Sequence, residues 1–243
     1  MTVLLFATPL FAATERVLLP IYSPRVFGAF GSHFVTELFI GNSGSTPVTI
    51  RDLTIACVDC NPFVDVPFEL APGGQLQPGE LFPTGKPGRF LILDGEEIDA
   101  VSMNLRVRDI AENATDYGVE IPVVRERDFL INQIVFHGVP TDSRFRNMLH
   151  IYSIAPVDVI VTVQKYLSSD PLPVRIRLNA GTNVFDPAYG VFTDFPRDIG
   201  PVDVRIVADP DFFSLLPVEI PLWAFISVTN NSTNTISTVT PQP

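Results

Sequence analysis

The chain has 243 residues, 46% of them hydrophobic, with a formal charge of −11 and a pI near 4.6. That length fits one large or two modest domains, and the apolar content suffices for a packed core, which excludes wholesale disorder. The acidity argues against a nucleic-acid partner, because phosphates need basic patches.

The first residues, "MTVLLFATPLFAATER", read as a secretory signal peptide over 1–14. The apolar run from Val3 to Ala12 is too short to span a bilayer and ends in the small residues Ala12 and Ala13. No basic residue precedes it, and a buried first strand is the alternative. Further along, Pro, Gly or a charge interrupts every apolar run, so no membrane span is expected. The expected location is secreted, periplasmic or at the cell surface.

Short alternating runs follow, separated by turns such as "NSGS", "APGG" and "LDGEE". In "HFVTELFIG" (33–41), Phe34, Thr36, Leu38 and Ile40 share one face, with Val35, Glu37 and Phe39 opposite. "PVTIRDLTI", "MNLRVRD", "LHIYSI", "VDVIVTVQKY", "PVRIRL", "PVDVRIVAD" and "LWAFISVTN" have the same period and are rich in β-branched and aromatic residues. Nothing sustains a helical stripe with caps, so the chain is expected to be all-β and antiparallel.

An internal match organises these runs. Residues 32–50 lie over 143–161 without a gap, matching Leu38 with Leu149, Ile40 with Ile151 and Val48 with Val159 at an offset of 111. The offset is 108 at "LAPGGQL" against "LNAGTNV", and 121 where Leu105 meets Ile226. The order is collinear, which implies an internal duplication with domain 1 at 15–126 and domain 2 at 127–243. With about seven strands per copy, and phrases such as "LFIGNSGSTPVTI" and "FELAPGGQL", the chain resembles the tandem immunoglobulin-like or fibronectin type III-like modules of secreted bacterial proteins. The resemblance implies two tandem antiparallel β-sandwiches. The Cys…Trp…Cys signature of antibody domains is absent, since both cysteines sit together and Trp223 stands alone.

Those cysteines, Cys57 and Cys60 in "ACVDCNPF", fall in a turn that the first copy lengthens by about three residues. No second C-x-x-C or His pair completes a zinc site, and no helix N-terminus is present to lower a thiol pKa. In an oxidising compartment the expected state is a Cys57–Cys60 disulfide.

Catalytic patterns are thin. "GNSGS" lacks the second Gly of a nucleophile elbow; Ser32 adjoins His33, but sequence neighbours point to opposite sides of a strand, so His33 and His150 read as strand-face or rim histidines rather than general bases, and His137 lies in "VFHGVP". H-E-x-x-H, P-loop and calcium-loop motifs do not occur, and no metal or cofactor is expected. The acids of "LDGEEID" (Asp94, Glu96, Glu97, Asp99) and "ADPDF" (Asp209, Asp211) read as solvated turns rather than a calcium site.

Two features bear on binding. R-x-R occurs at Arg106 and Arg108, Arg125 and Arg127, Arg144 and Arg146, and Arg175 and Arg177. On a strand such pairs share a face, and can grip carboxylates or sulfates of an acidic ligand, or pair with the chain's own acids on a solvated face. Secondly, the offset grows by about 13 residues within 185–200, where Phe185, Tyr189, Phe192 and Phe195 lie among turn residues. Such a loop either binds a partner or covers a sheet edge. Trp223, in a run apolar on both phases, is expected in the core or between domains.

The expected function is an exported, non-enzymatic binding or scaffold protein contacting extracellular glycans or surface proteins. An extracellular glycan-acting enzyme or accessory domain, or a periplasmic chaperone-like strand binder, is the alternative.

Overall fold

The structure, a computed structural model, describes residues 13–22, 26–27, 31–52, 67–77, 89–111, 115, 117–131, 133–165, 172–178, 181–185, 198–209 and 220–241. Residues 1–12 of the expected signal peptide, Cys57 and Cys60, and Tyr189, Phe192 and Phe195 lie outside them.

The apolar–polar alternation forms strands throughout, and helix among the described residues is limited to short 3-10 turns such as Ile98–Ala100 and Glu126–Asp128. Sheet 1 contains β1 (Ala13–Leu19), β4 (Val48–Asp52), β5 (Phe68–Leu70), β7 (Arg89–Gly95) and β10 (Val124–Arg125), in the order β10-β1-β7-β4-β5. Sheet 2 contains β2 (Val26–Phe27), β3 (His33–Asn42), β8 (Val101–Asp109) and β9 (Val119–Ile121) in that order, with β6 (Gln75–Leu76) also paired to β3. Sheet 3 contains β12 (Phe145–Ser153), β15 (Gly181–Phe185), β17 (Leu222–Asn230) and β18 (Ile236–Val239), in the order β15-β12-β17-β18. Sheet 4 contains β11 (Gln133–Val139), β13 (Val157–Lys165), β14 (Leu172–Leu178) and β16 (Val202–Ala208), in the order β11-β16-β13-β14.

The chain is therefore all-β and antiparallel. The expectation of tandem immunoglobulin- or fibronectin-type modules is corrected. Four small sheets stand in a ring, an arrangement like that of a four-bladed β-propeller. Connectivity also departs from that of an immunoglobulin domain. An immunoglobulin domain pairs its second main strand with the fifth and its third with the sixth. Here, with the two-residue strands set aside, β3 pairs with β8 and β4 with β7, the second with the sixth and the third with the fifth. β12 with β17 and β13 with β16 repeat that scheme once β15, the counterpart of β6, is set aside as well. Hydrophobic phase fixes which face a residue occupies and leaves the identity of its neighbouring strand open, so the sequence pattern suits both topologies.

The internal match reappears as register. Leu38 faces Leu105 and Leu149 faces Ile226; Ile40 faces Met103 and Ile151 faces Ala224. β6 on β3 and β15 on β12 occupy corresponding places.

Three apolar clusters hold the sheets. Val17, Leu19, Ile50, Leu91 and Leu93 of sheet 1 meet Leu38, Ile40, Leu105 and Val107 of sheet 2. Val159, Val161, Val204 and Ile206 of sheet 4 meet Leu149, Ile151, Ala224 and Ile226 of sheet 3. The third joins the halves: Leu18, Phe90 and Val124 of sheet 1 and the linker residue Phe129 pack on Tyr152, Trp223 and Phe225 of sheet 3. Sheet 3 is thus covered on both faces, which explains why Leu222–Thr229 are all buried. Apolar burial contributes about 25 cal/mol per Å², so covering both faces of one sheet is the main force fixing the halves together.

Candidate functional site

Sheet 2 has one face in the core, and among the described residues no sheet covers its other face. β3 turns Leu38 and Ile40 inward, so His33, Glu37 and Phe39 project outward; on β8 the outward set is Asn104, Arg106 and Arg108. Among the described residues the exposed large apolar side chains are Phe27 (79%), Tyr117 (75%), Ile131 (48%) and Phe39 (39%). Three of these four belong to this face. Phe27, opposite His33 in the register, stacks on that imidazole at 4.6 Å. Tyr117 lies over the Arg106 guanidinium at 3.9 Å, with Phe39 on that same guanidinium at 5.7 Å.

Gly118 makes the Tyr117 placement possible. Its φ of +79° is left-handed, and a Cβ there would stand 2.3 Å from the Val107 carbonyl oxygen. Glycine alone meets both conditions.

A polar row crosses the sheet between the rings: Glu37, Arg106 and Glu120 are consecutive cross-strand neighbours. Glu37 accepts from Arg106, and from Arg108 Nη2 at 2.6 Å, while Asn104 Nδ2 donates to Glu120 Oε1 at 2.6 Å. Burial pushes the Glu37 carboxyl up; its hydrogen bonds from Arg106 and Arg108 outweigh that and hold it below the usual carboxylate range. The two guanidiniums and the two carboxylates cancel, so these four groups form a polar row without net charge.

The corresponding positions of the other half show what differs. By the shared register, Phe39 corresponds to His150, Ser102 to Trp223, Asn104 to Phe225 and Arg106 to Ser227. In sheet 3 that set is shut against sheet 1; in sheet 2 the aromatic positions hold Ser102 and Asn104 and face solvent.

The sequence-derived candidates fare unequally. Arg106 and Arg108 do share one strand face, and both engage Glu37. Arg144 precedes β12 and forks onto Asp142, with bonds of 2.9 and 2.7 Å. Arg146 lies within β12 opposite Thr229, so this pair is not displayed as a strand stripe and sits on a different sheet from Arg106. Arg125 and Arg127 converge on Glu15, and Arg175 and Arg177 pair with Asp209 and Asp158. Phe185 ends β15 opposite Leu149, so the backbone there is strand rather than loop. Phe27, Phe39, Tyr117 and Glu37 were not singled out by sequence reasoning. The available signal was Phe39, an aromatic on the outward phase of a strand whose inward phase is already apolar.

One further groove among the described residues, of about 760 Å³, is lined by Thr14, Glu15, Arg16, Ile92, Ile98, Glu126 and Arg127. Its charges engage one another, Arg16 forking onto Glu126 at 2.5 and 2.9 Å and Arg127 pairing with Asp99 and Glu15. Three of the four acids of "LDGEEID" have separate partners: Asp94 takes Arg51, Glu97 the Ser45–Thr46 turn, and Asp99 takes Arg127. No group of three metal-ligating side chains occurs among the described residues. Ser227 Oγ and His150 Nε2 are 3.2 Å apart, but both are buried and His150 stacks on Phe225 at 4.4 Å. A substrate has no approach to that pair. Among the described residues no helix is long and apolar enough to cross a membrane.

No protein-family model matches this chain, and no curated protein matches it significantly.

Proposed function

We propose that this chain is an exported, non-enzymatic binding protein built from two copies of one β unit, and that it contacts its partner through the outer face of sheet 2. The observation that carries this is the placement of three exposed rings on one outward face, Phe39 and Tyr117 flanking Arg106 and Phe27 further along at His33. Exposed aromatic rings beside a held arginine are the composition of binding hot spots, where large rigid side chains give contact area at small entropic cost. The second unit uses the corresponding face to hold the first, which leaves the first unit's face for a ligand.

Strand addition is less well supported. β14 begins Leu172-Pro173 and carries Arg175 and Arg177, and β11 has a register irregularity between Phe136 and Val139. Pro, charge and bulges are the devices that block edge pairing.

The test is an array of extracellular glycans and matrix proteins probed with the exported chain, with release of reducing ends followed in parallel. Retention without turnover, abolished by Phe39→Ser with Tyr117→Ser, is expected. Turnover, or retention unaffected by that double substitution, would overturn the proposal.

A further inference from the structure

The geometry points to a neutral, extended polysaccharide as the occupant of the sheet 2 face; this rests on the binding role proposed above and specifies its ligand.

Three observations select that chemistry. First, the face is electrically balanced. Arg106 and Arg108 share Glu37, and Glu120, opposite Arg106 in the register and hydrogen-bonded by Asn104, supplies the second negative charge, so these four charges sum to zero. An acidic polymer would meet a neutral surface on a protein of formal charge −11, and would be repelled at long range. Secondly, the rings lie along the strands rather than in one patch. Phe27 is opposite His33, and Phe39 is six residues further along β3, a separation of about 20 Å at ~3.3 Å per residue. Tyr117 lies between them at Arg106. A ligand touching all three is long and thin. Thirdly, the groups between the rings are hydrogen-bonding edges: the Asn104 amide, the Glu120 and Glu37 carboxylates and the Arg106 guanidinium. Sugar rings offer what this alternation requires, with weakly positive C–H faces for the negative aromatic faces and hydroxyls for the polar row. A protein partner would favour a compact apolar centre with a polar rim, whereas here Phe27 and Phe39 are well separated in the direction of β3 and the polar row of Glu37, Arg106 and Glu120 lies among the rings.

The experiment is affinity electrophoresis of the whole chain in native gels containing mixed-linkage β-glucan or xyloglucan, with heparin and polygalacturonate as anionic counterparts, at about 50 and 500 mM salt. Retardation by a neutral polymer, changed little by salt, is expected. Phe27→Ala, Phe39→Ala and Tyr117→Ala together should abolish it, and Tyr117→Ala alone should weaken it about tenfold. Ile131→Ala, an exposed apolar residue outside that face, should leave retardation unchanged and shows that surface truncation alone is harmless. Retardation by the anionic polymers only, or one lost at high salt, overturns the neutral-glycan inference. So does the absence of retardation in both neutral gels. If the same three substitutions nevertheless abolish retention on a protein spot of the array, the face binds and only its ligand class is wrong. If the triple variant binds like the parent everywhere, the binding role of the face fails as well.

Discussion

The Tyr152 hydroxyl donates to the Pro20 carbonyl oxygen across 2.5 Å, joining positions 132 residues apart. Tyr152 is fully buried on sheet 3, and Pro20 directly follows β1 of sheet 1. Burial pushes the Tyr152 phenol well above its ordinary value, so it remains a neutral donor at any physiological pH. Around it, Trp223, Phe225, Leu18, Phe90 and Phe129 form the apolar seam, and Leu130 and Leu222 exchange backbone hydrogen bonds of 2.8 and 2.9 Å. The linker between β10 and β11 is therefore stitched onto sheet 3.

Removing that hydroxyl should weaken the junction without emptying it. Tyr152→Phe keeps the ring and leaves the Pro20 carbonyl without this donor, a loss of about 1–3 kcal/mol. Urea unfolding of the variant should show a lower midpoint and one transition. An unchanged midpoint, or two separated transitions already in the parent, would mean that the halves are not coupled through this contact.

His150 gives the junction a pH dependence. Burial lowers its pKa from 6.5 to about 3. The unfolded chain takes up a proton below about 6.5 while the folded chain stays neutral, so stability is greatest above that pH and falls as the pH drops toward 3, by up to about 1.4 kcal/mol per unit from this residue. His150→Phe retains a ring to stack on Phe225 and removes the titration. Between about pH 4 and 6 its stability should fall less steeply than the parent's. Parallel curves would show that His150 does not couple to folding.

Glu37 neutralises the sheet 2 face. Glu37→Gln leaves Arg106 and Arg108 facing an amide, and the half-buried pairs should contribute about 1 kcal/mol to stability. The variant should also be retained on immobilised heparin at low salt more strongly than the parent. Equal retention would mean that the two guanidiniums find another acid and that the balance of the face does not depend on Glu37.

The strands were legible because their phases are strong: the matches of Leu38 to Leu149 and of Leu105 to Ile226 recur as facing pairs in each half. Trp223 in "PLWAFISV" signalled a strand covered on both faces, and it lies 6% exposed in the seam between sheets 1 and 3. Sheet membership was not legible. Alternation cannot say whether β3 pairs with β7 or β8, and that choice separates an immunoglobulin-type sandwich from the observed ring. The R-x-R spacing placed Arg106 and Arg108 on one face, whereas their partner Glu37 is 69 and 71 residues away and carries no local mark. The aromatic face escaped notice because Phe27, Phe39 and Tyr117 come from three separate segments and converge only through the pairing of β2 with β3 and the turn at Gly118.

The central claim is that the ligand lies on the outer face of sheet 2, and hydroxyl-radical footprinting of the chain with and without mixed-linkage β-glucan tests it most directly. Protection should fall on Phe27, Phe39 and Tyr117, while the exposed His137 of sheet 4 keeps its reactivity. Protection at His137 with the three rings still fully reactive would place the ligand elsewhere and contradict the claim.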